Sequence, residues 1–110
     1  MIAHVVLFKP KHELTTAQRQ AVIDDLKAAA AGIPTVRSLR VGKRLRHGLP
    51  GYEQLMREDF EYLVVIEFDD ADGLKAYLAH PKHEAIGAHF MQAAAAALAY
   101  DYELEDWKSR

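Results

Sequence analysis

The stretch FEYLVVIEF, residues 60 to 68, alternates as a strand does, yet it offers apolar side chains to both sides. Phe60, Tyr62, Val64, Ile66 and Phe68 share one face, while Leu63 and Val65 stand on the other with Glu61 and Glu67. The opening MIAHVVLF repeats the pattern, with Ile2, His4, Val6 and Phe8 opposed to Ala3, Val5 and Leu7. A sheet made of such strands needs cover on both sides, because a large bare apolar face in water is unfavourable. What can supply that cover decides the architecture.

Between the strands the chain predicts helices. Thr15 and Gln18 form a T-x-x-Q capping box, in which hydroxyl and amide satisfy backbone N–H groups of a helix start. Ala17, Ala21, Val22, Leu26, Ala29, Ala30 and Ile33 then follow at three- and four-residue spacing, and Gly32 and Pro34 close the helix. TVRSLRVGKRL, residues 35 to 45, reads as a strand with an exposed basic face and Gly42 as its candidate bulge. Residues 46 to 58 hold two Gly and one Pro without sustained period and form a long loop, a candidate lid hinged at Gly48 and Gly51.

Asp69 and Asp70 offer N-caps to a short helix bearing Leu74, Tyr77 and Leu78. Pro81 opens another, with His80 in its cap region and Ile86, Phe90, Ala93 and Ala97 as its stripe. The AAAAA run at 93 to 97 belongs to that helix on intrinsic propensity. In residues 97 to 107, Leu98, Tyr100, Tyr102 and Leu104 alternate with Ala99, Asp101, Glu103 and Glu105, which predicts the last strand. The order β-α-β-β-α-β predicts a ferredoxin-like α+β fold with a four-stranded antiparallel sheet, its second helix broken at Pro81, in one domain over residues 1–110. Its helices cover one sheet face only, so the other is expected to meet a second copy, sheet against sheet, as a homodimeric α+β barrel.

Several function classes are excluded or disfavoured by the totals. With 14 basic and 16 acidic residues, and RVGKRLRHG at 40 to 48 as the only basic cluster, no nucleic-acid partner is expected. Cysteine is absent, which removes thiolate nucleophiles, disulfides and Cys-ligated metals. The N-terminus resembles neither a signal peptide nor a membrane span, so a soluble cytoplasmic chain without a membrane partner is expected. There is no phosphate-binding or dinucleotide-binding glycine motif and no evident Ser-His-Asp order, so no cofactor is expected. Asp69, Asp70 and Asp72 read as helix-start residues.

YLAHPKHEAIGAHF, residues 77 to 90, concentrates three of the six histidines beside a tyrosine. A metal site is disfavoured, since Pro81 breaks the chain between His80 and His83 and His89 falls on another flank of the helix. His80 suits a helix cap. His83, in the first turn and beside the inward stripe, points toward a cavity as a neutral general base, or else is a packed histidine bonded to a backbone carbonyl. Tyr77 is a core aromatic whose hydroxyl needs a partner, or a donor to a substrate carbonyl. His4 is either a satisfied core histidine or part of a pocket wall. Tyr62, Tyr100 and Tyr102 suit a dimer face.

MIAHVVLFKPK, YLVVIEFDDADGLKAYLAHPKHEAIGAHF and YDYE together resemble the stress-responsive dimeric α/β-barrel (Dabb) family, above all in His4 on the first strand and the H-P-x-H at His80 to His83. The resemblance covers nearly the whole chain. It implies two ferredoxin-like protomers packed into a barrel. More distantly, it implies likeness to plant members that act as polyketide cyclases by intramolecular aldol chemistry. Carried over, Tyr77 is the acid, His83 the base and His4 the strand histidine of the pocket. Tyr62 stands where those cyclases place a third-strand histidine, and Leu26 where they place a helix tyrosine.

The expected function is binding of a small, mostly apolar carbonyl compound, with cofactor-free acid–base conversion of a cyclase or isomerase kind. Its catalytic pair is Tyr77 and His83, and its pocket wall includes His4, Tyr62, Leu26 and Phe90. The alternatives are a non-catalytic stress-related or ligand-carrying dimer and, more weakly, a cofactor-independent oxygenase or haem-handling protein.

Overall fold

The computed structural model describes residues 1–108. Its elements run β1 (Ile2–Pro10), α1 (Thr16–Ala31), β2 (Ser38–Lys43), a 3-10 turn (Glu53–Leu55), β3 (Tyr62–Phe68), α2 (Ala71–Ala79), α3 (Pro81–Ala93) and β4 (Ala94–Glu103). The strands form one antiparallel sheet in the order β2-β3-β1-β4, the ferredoxin-like α+β arrangement. Among the described residues no helix is long and apolar enough to cross a membrane.

Local chemistry sets the helix ends. The Thr15 hydroxyl accepts from Gln18 N at 3.1 Å and the Gln18 amide oxygen from Thr15 N at 2.8 Å, completing the capping box. At the C-terminal end Gly32 keeps φ at −86°, with the flexible Lys82 ammonium lying where a Cβ would project. Asp70 caps α2 through Gly73 N, whereas Asp69 pairs with Arg37. His80 caps α3, its Nδ1 accepting from Lys82 N at 3.1 Å, with Pro81 opening the helix.

Alternation along the paired strands sorts the sheet into two faces. His4 lies opposite Ile66 and Asp101, and Val6 opposite Val64 and Ala99, on the side that the helices cover. There Phe8, Val64, Ile66, Phe68 and Tyr77 are fully buried, joined by Val22, Leu26 and Ala30 of α1. Of the α1 stripe expected from spacing, Ala17 and Ala21 face solvent, and Ile23 is buried instead. The second face carries Val5, Leu7, Leu63, Val65, Leu98, Tyr100 and Tyr102. Among the described residues no helix covers it, and Tyr100 and Tyr102 are 54% and 53% exposed.

Three expectations are corrected. The alanine run is strand from Ala94 onward, not helix: β1 extends to Pro10, and its last backbone groups pair with Ala94, Ala96 and Ala97. Burying an unpaired ladder edge costs more than alanine gains from its mild helix preference. The bulge falls opposite Lys9 and Pro10, where the ladder shifts register at a residue with no N–H, and the pairing through Gly42 is uninterrupted. Strand β2 starts at Ser38 rather than Thr35, because Thr35 turns away to donate its hydroxyl to Gly73 O at 2.9 Å.

The basic cluster sits on the β2 edge. Arg40 pairs with Glu67 there, and Arg44 and Arg46 share Asp59, so acids offset its charge.

Candidate functional site

Between the covered sheet face and the helices lies a cavity of about 340 Å³. Its walls are apolar, from Val6, Leu26, Val64, Ile66, Ile86 and Phe90. Three polar side chains enter it: His4 from β1, Tyr77 from α2 and His83 from α3. The Tyr77 ring stands between the two imidazoles, 5.8 Å from His4 and 4.7 Å from His83 between centroids.

Each of the three is held by a different device. Tyr77 is 1% exposed and packs on Phe68 at 5.3 Å, while burial alone pushes its phenol up to about 12. Its hydroxyl makes no hydrogen bond to a described residue and remains protonated, a donor available to the cavity. His83 Nδ1 lies 3.1 Å from Leu78 O. A carbonyl only accepts, so Nδ1 carries the proton and Nε2 keeps its lone pair. Burial lowers the His83 pKa below the ordinary imidazole value; the Leu78 bond works the other way, and nearby His4 adds to the lowering. In its neutral form the ring keeps Nε2 as a free acceptor.

His4 is 7% exposed and buried among apolar groups, but it is not orphaned: its Nδ1 lies 2.6 Å from Asp101 Oδ1. Asp101 is the direct β4 partner of His4 in the ladder, and this contact joins satisfaction of the buried ring to its place in the cavity wall. Sequence reading missed Asp101. It predicted the alternation of β4 but not the register that sets residue 101 against residue 4.

Of the remaining expected site residues, Leu26 and Phe90 line the cavity and Tyr62 does not. Tyr62 shares the helix-covered face, stacked 6.3 Å from Phe8 in a separate cluster with Val22, so it belongs neither to the pocket nor to the bare face. His89 reaches α1, its Nδ1 2.9 Å from Asp25 Oδ2. Among the described residues no three His, Asp or Glu side chains gather as a metal site. The 46–58 loop contributes nothing to the cavity wall and folds on itself, with Glu53 accepting from His47 N and Gly48 N. The expected lid is thus misplaced: Met56 and Glu58 border a groove with Leu7 and Leu63 on the other sheet face. Gly87 and Met91 of α3 and the Ala97–Ala99 stretch of β4 complete the cavity wall, with Met91 and Leu98 exposed.

Residues 2–104 match the family model of the stress responsive A/B barrel domain, Dabb. Among solved structures, the chain is similar to a dimeric ferredoxin-like protein of unknown function from Thermobifida fusca, at 29% identity and TM-score 0.74, covering 94% of this chain and 90% of that one. A Dabb family protein from Mesorhizobium loti shares the fold at 21% identity and TM-score 0.76, with 96% and 97% covered. So does a hydroxynitrile lyase from Passiflora edulis, at 15% identity and TM-score 0.84, with 98% and 96% covered. No curated protein matches the chain in sequence.

Proposed function

The chain belongs to the stress responsive A/B barrel domain family, and we propose that it is a homodimer whose protomers each bind a small, mostly apolar carbonyl compound and perform cofactor-free acid–base chemistry on it. The observation that carries this reading is the pairing of Tyr77 with His83 in one apolar cavity, rings 4.7 Å apart. A phenol held protonated and an imidazole held neutral are opposite halves of one proton-transfer device. His83 Nε2 takes a proton from the carbon beside the carbonyl, and the Tyr77 O–H stabilises the developing enolate oxygen. In an unsaturated compound, return of the proton to the γ carbon of the dienolate gives isomerisation; attack of the enolate carbon on a second carbonyl of the same molecule, with the His83 imidazolium returning the proton to the new alkoxide, gives ring closure. His4, anchored by Asp101, orients the carbonyl end.

The dimer is supported by the uncovered apolar sheet face and by similar proteins described as dimeric. That the same fold serves a hydroxynitrile lyase in Passiflora edulis supports lyase-type work in this scaffold. A second reading, a ligand-carrying dimer without turnover, is favoured by the His83 bond to Leu78 O, which is a sufficient structural role for that ring.

Exchange of α-protons for deuterium in simple ketones, followed by NMR in D₂O, separates the two without knowledge of the substrate. Catalysed exchange that falls at least about 100-fold in both His83→Gln and Tyr77→Phe is expected of acid–base pairing. Ketone binding with no exchange above solvent, or exchange indifferent to His83, leaves the carrier reading standing.

A further inference from the structure

Gly87 sits in the middle of α3, where glycine weakens a helix relative to alanine. The usual structural reasons for glycine are missing. Its φ is not positive, since only Gly48 and Gly51 have that conformation among the described residues. No neighbour presses on it either, because a Cβ built there meets nothing within 4 Å. What the absent side chain does is leave space, and that space is in the cavity wall.

Its position gives the space a direction. His83, Gly87 and Met91 follow at four-residue intervals, one above another on the helix surface, and all three line the cavity. The row runs from the candidate base to the exposed Met91 over a little more than two turns, about 12 Å. Across from it stand Ala97 and Ala99, on the cavity side of β4 opposite Phe8 and Val6. The part of the cavity between α3 and β4 is thus bordered by glycine on one side and alanine on the other, and among its lining residues no polar side chain stands between His83 and the exposed Met91.

We infer that Gly87 is the specificity-determining residue of this site, opening a slot between α3 and β4 that receives an unbranched apolar tail attached to the carbonyl group. The inference rests on the carbonyl-binding reading and narrows it to carbonyl compounds with an extended alkyl chain. A side chain at position 87 would close the slot one turn from His83, leaving room for the carbonyl end alone.

The test is binding of methyl alkyl ketones from butanone to undecanone, measured by calorimetry on the whole chain and on Gly87→Ala and Gly87→Leu. In the wild type, affinity should rise about fourfold per added methylene, the value of one buried CH₂. Gly87→Leu should stop that rise at a shorter chain than in the wild type. Gly87→Ala should raise the melting temperature while narrowing the range less, which separates admission from folding. A Gly87→Leu series that tracks the wild type, or a wild type insensitive to chain length, overturns the inference. The matched alkanols distinguish the two readings: equal chain-length dependence for alkanols and ketones removes the carbonyl reading and leaves the slot.

Discussion

Tyr77 and His83 come from different helices, and their rings meet at 4.7 Å because His80 and Pro81 turn the chain between them. The turn gives the tyrosine a buried seat on Phe68 and the histidine a carbonyl anchor at Leu78. Because the Tyr77 hydroxyl makes no bond within the described residues, Tyr77→Phe removes a polar atom from an apolar site without orphaning a partner. Stability should hold or rise slightly, within about 1 kcal/mol, while the acid function disappears. Urea unfolding checks the first half and α-proton exchange the second; a larger loss of stability would mean that the hydroxyl holds the fold together.

The depressed His83 pKa sets a pH dependence with a definite sign. Between the lowered folded value and the ordinary unfolded value of about 6.5, the unfolded chain carries a proton on this ring that the folded chain does not. Stability therefore rises with pH through that window and is lost as pH falls through it. The effect is modest, since the ring is only half-buried. The difference in melting temperature between wild type and His83→Gln should be constant above about pH 7 and change below it, with the wild type losing more on acidification. Parallel curves would show that the ring titrates as it does in the unfolded chain.

The His4–Asp101 contact separates charge from hydrogen bonding. Asp101→Asn keeps an oxygen to accept from His4 Nδ1, whereas Asp101→Ala leaves a buried donor unpaired. Alanine should cost about 1–2 kcal/mol, toward the low end because the carboxylate is 40% exposed and water can replace it. Asparagine should cost less, a ranking that urea midpoints test directly. Equal costs would assign the stabilisation to charge and not to the bond.

How much of this was legible in the sequence follows from the range of each signal. The capping box, the Asp70 and His80 caps and the two-faced strands depend on residues within a few positions of one another, and they appear as the pattern requires. Tyr77 and His83 come into one cavity for the same reason, being joined by a short turn. Asp101 could not be found that way, because only the ladder register sets it beside His4 across 97 positions. The alanine run was misread because single-residue propensity ignores the open hydrogen bonds of Lys9 and Pro10's neighbours on β1. Tyr62 illustrates a further limit: it lies on the helix-covered face and not on the expected dimer face, and Phe8 takes it toward a part of the core away from the cavity.

The uncovered sheet face yields the last prediction. Val5 lies on β1 between Val65 of β3 and Tyr100 of β4, at the middle of that face and pointing away from the cavity. If a second copy covers it, Val5→Glu buries a carboxylate between Val65 and Tyr100 in an apolar interface, which is far more costly than exposing it. The variant should sediment as a monomer, and its melting temperature should lose the dependence on protein concentration that a dimer shows. Because α1, α2 and α3 pack on the opposite face, the ring arrangement of His4, Tyr77 and His83 should survive in that monomer. Unchanged sedimentation would mean that the greasy face meets something other than a second copy of this chain, and ketone binding by a monomeric Val5→Glu would show that each protomer's cavity is complete on its own.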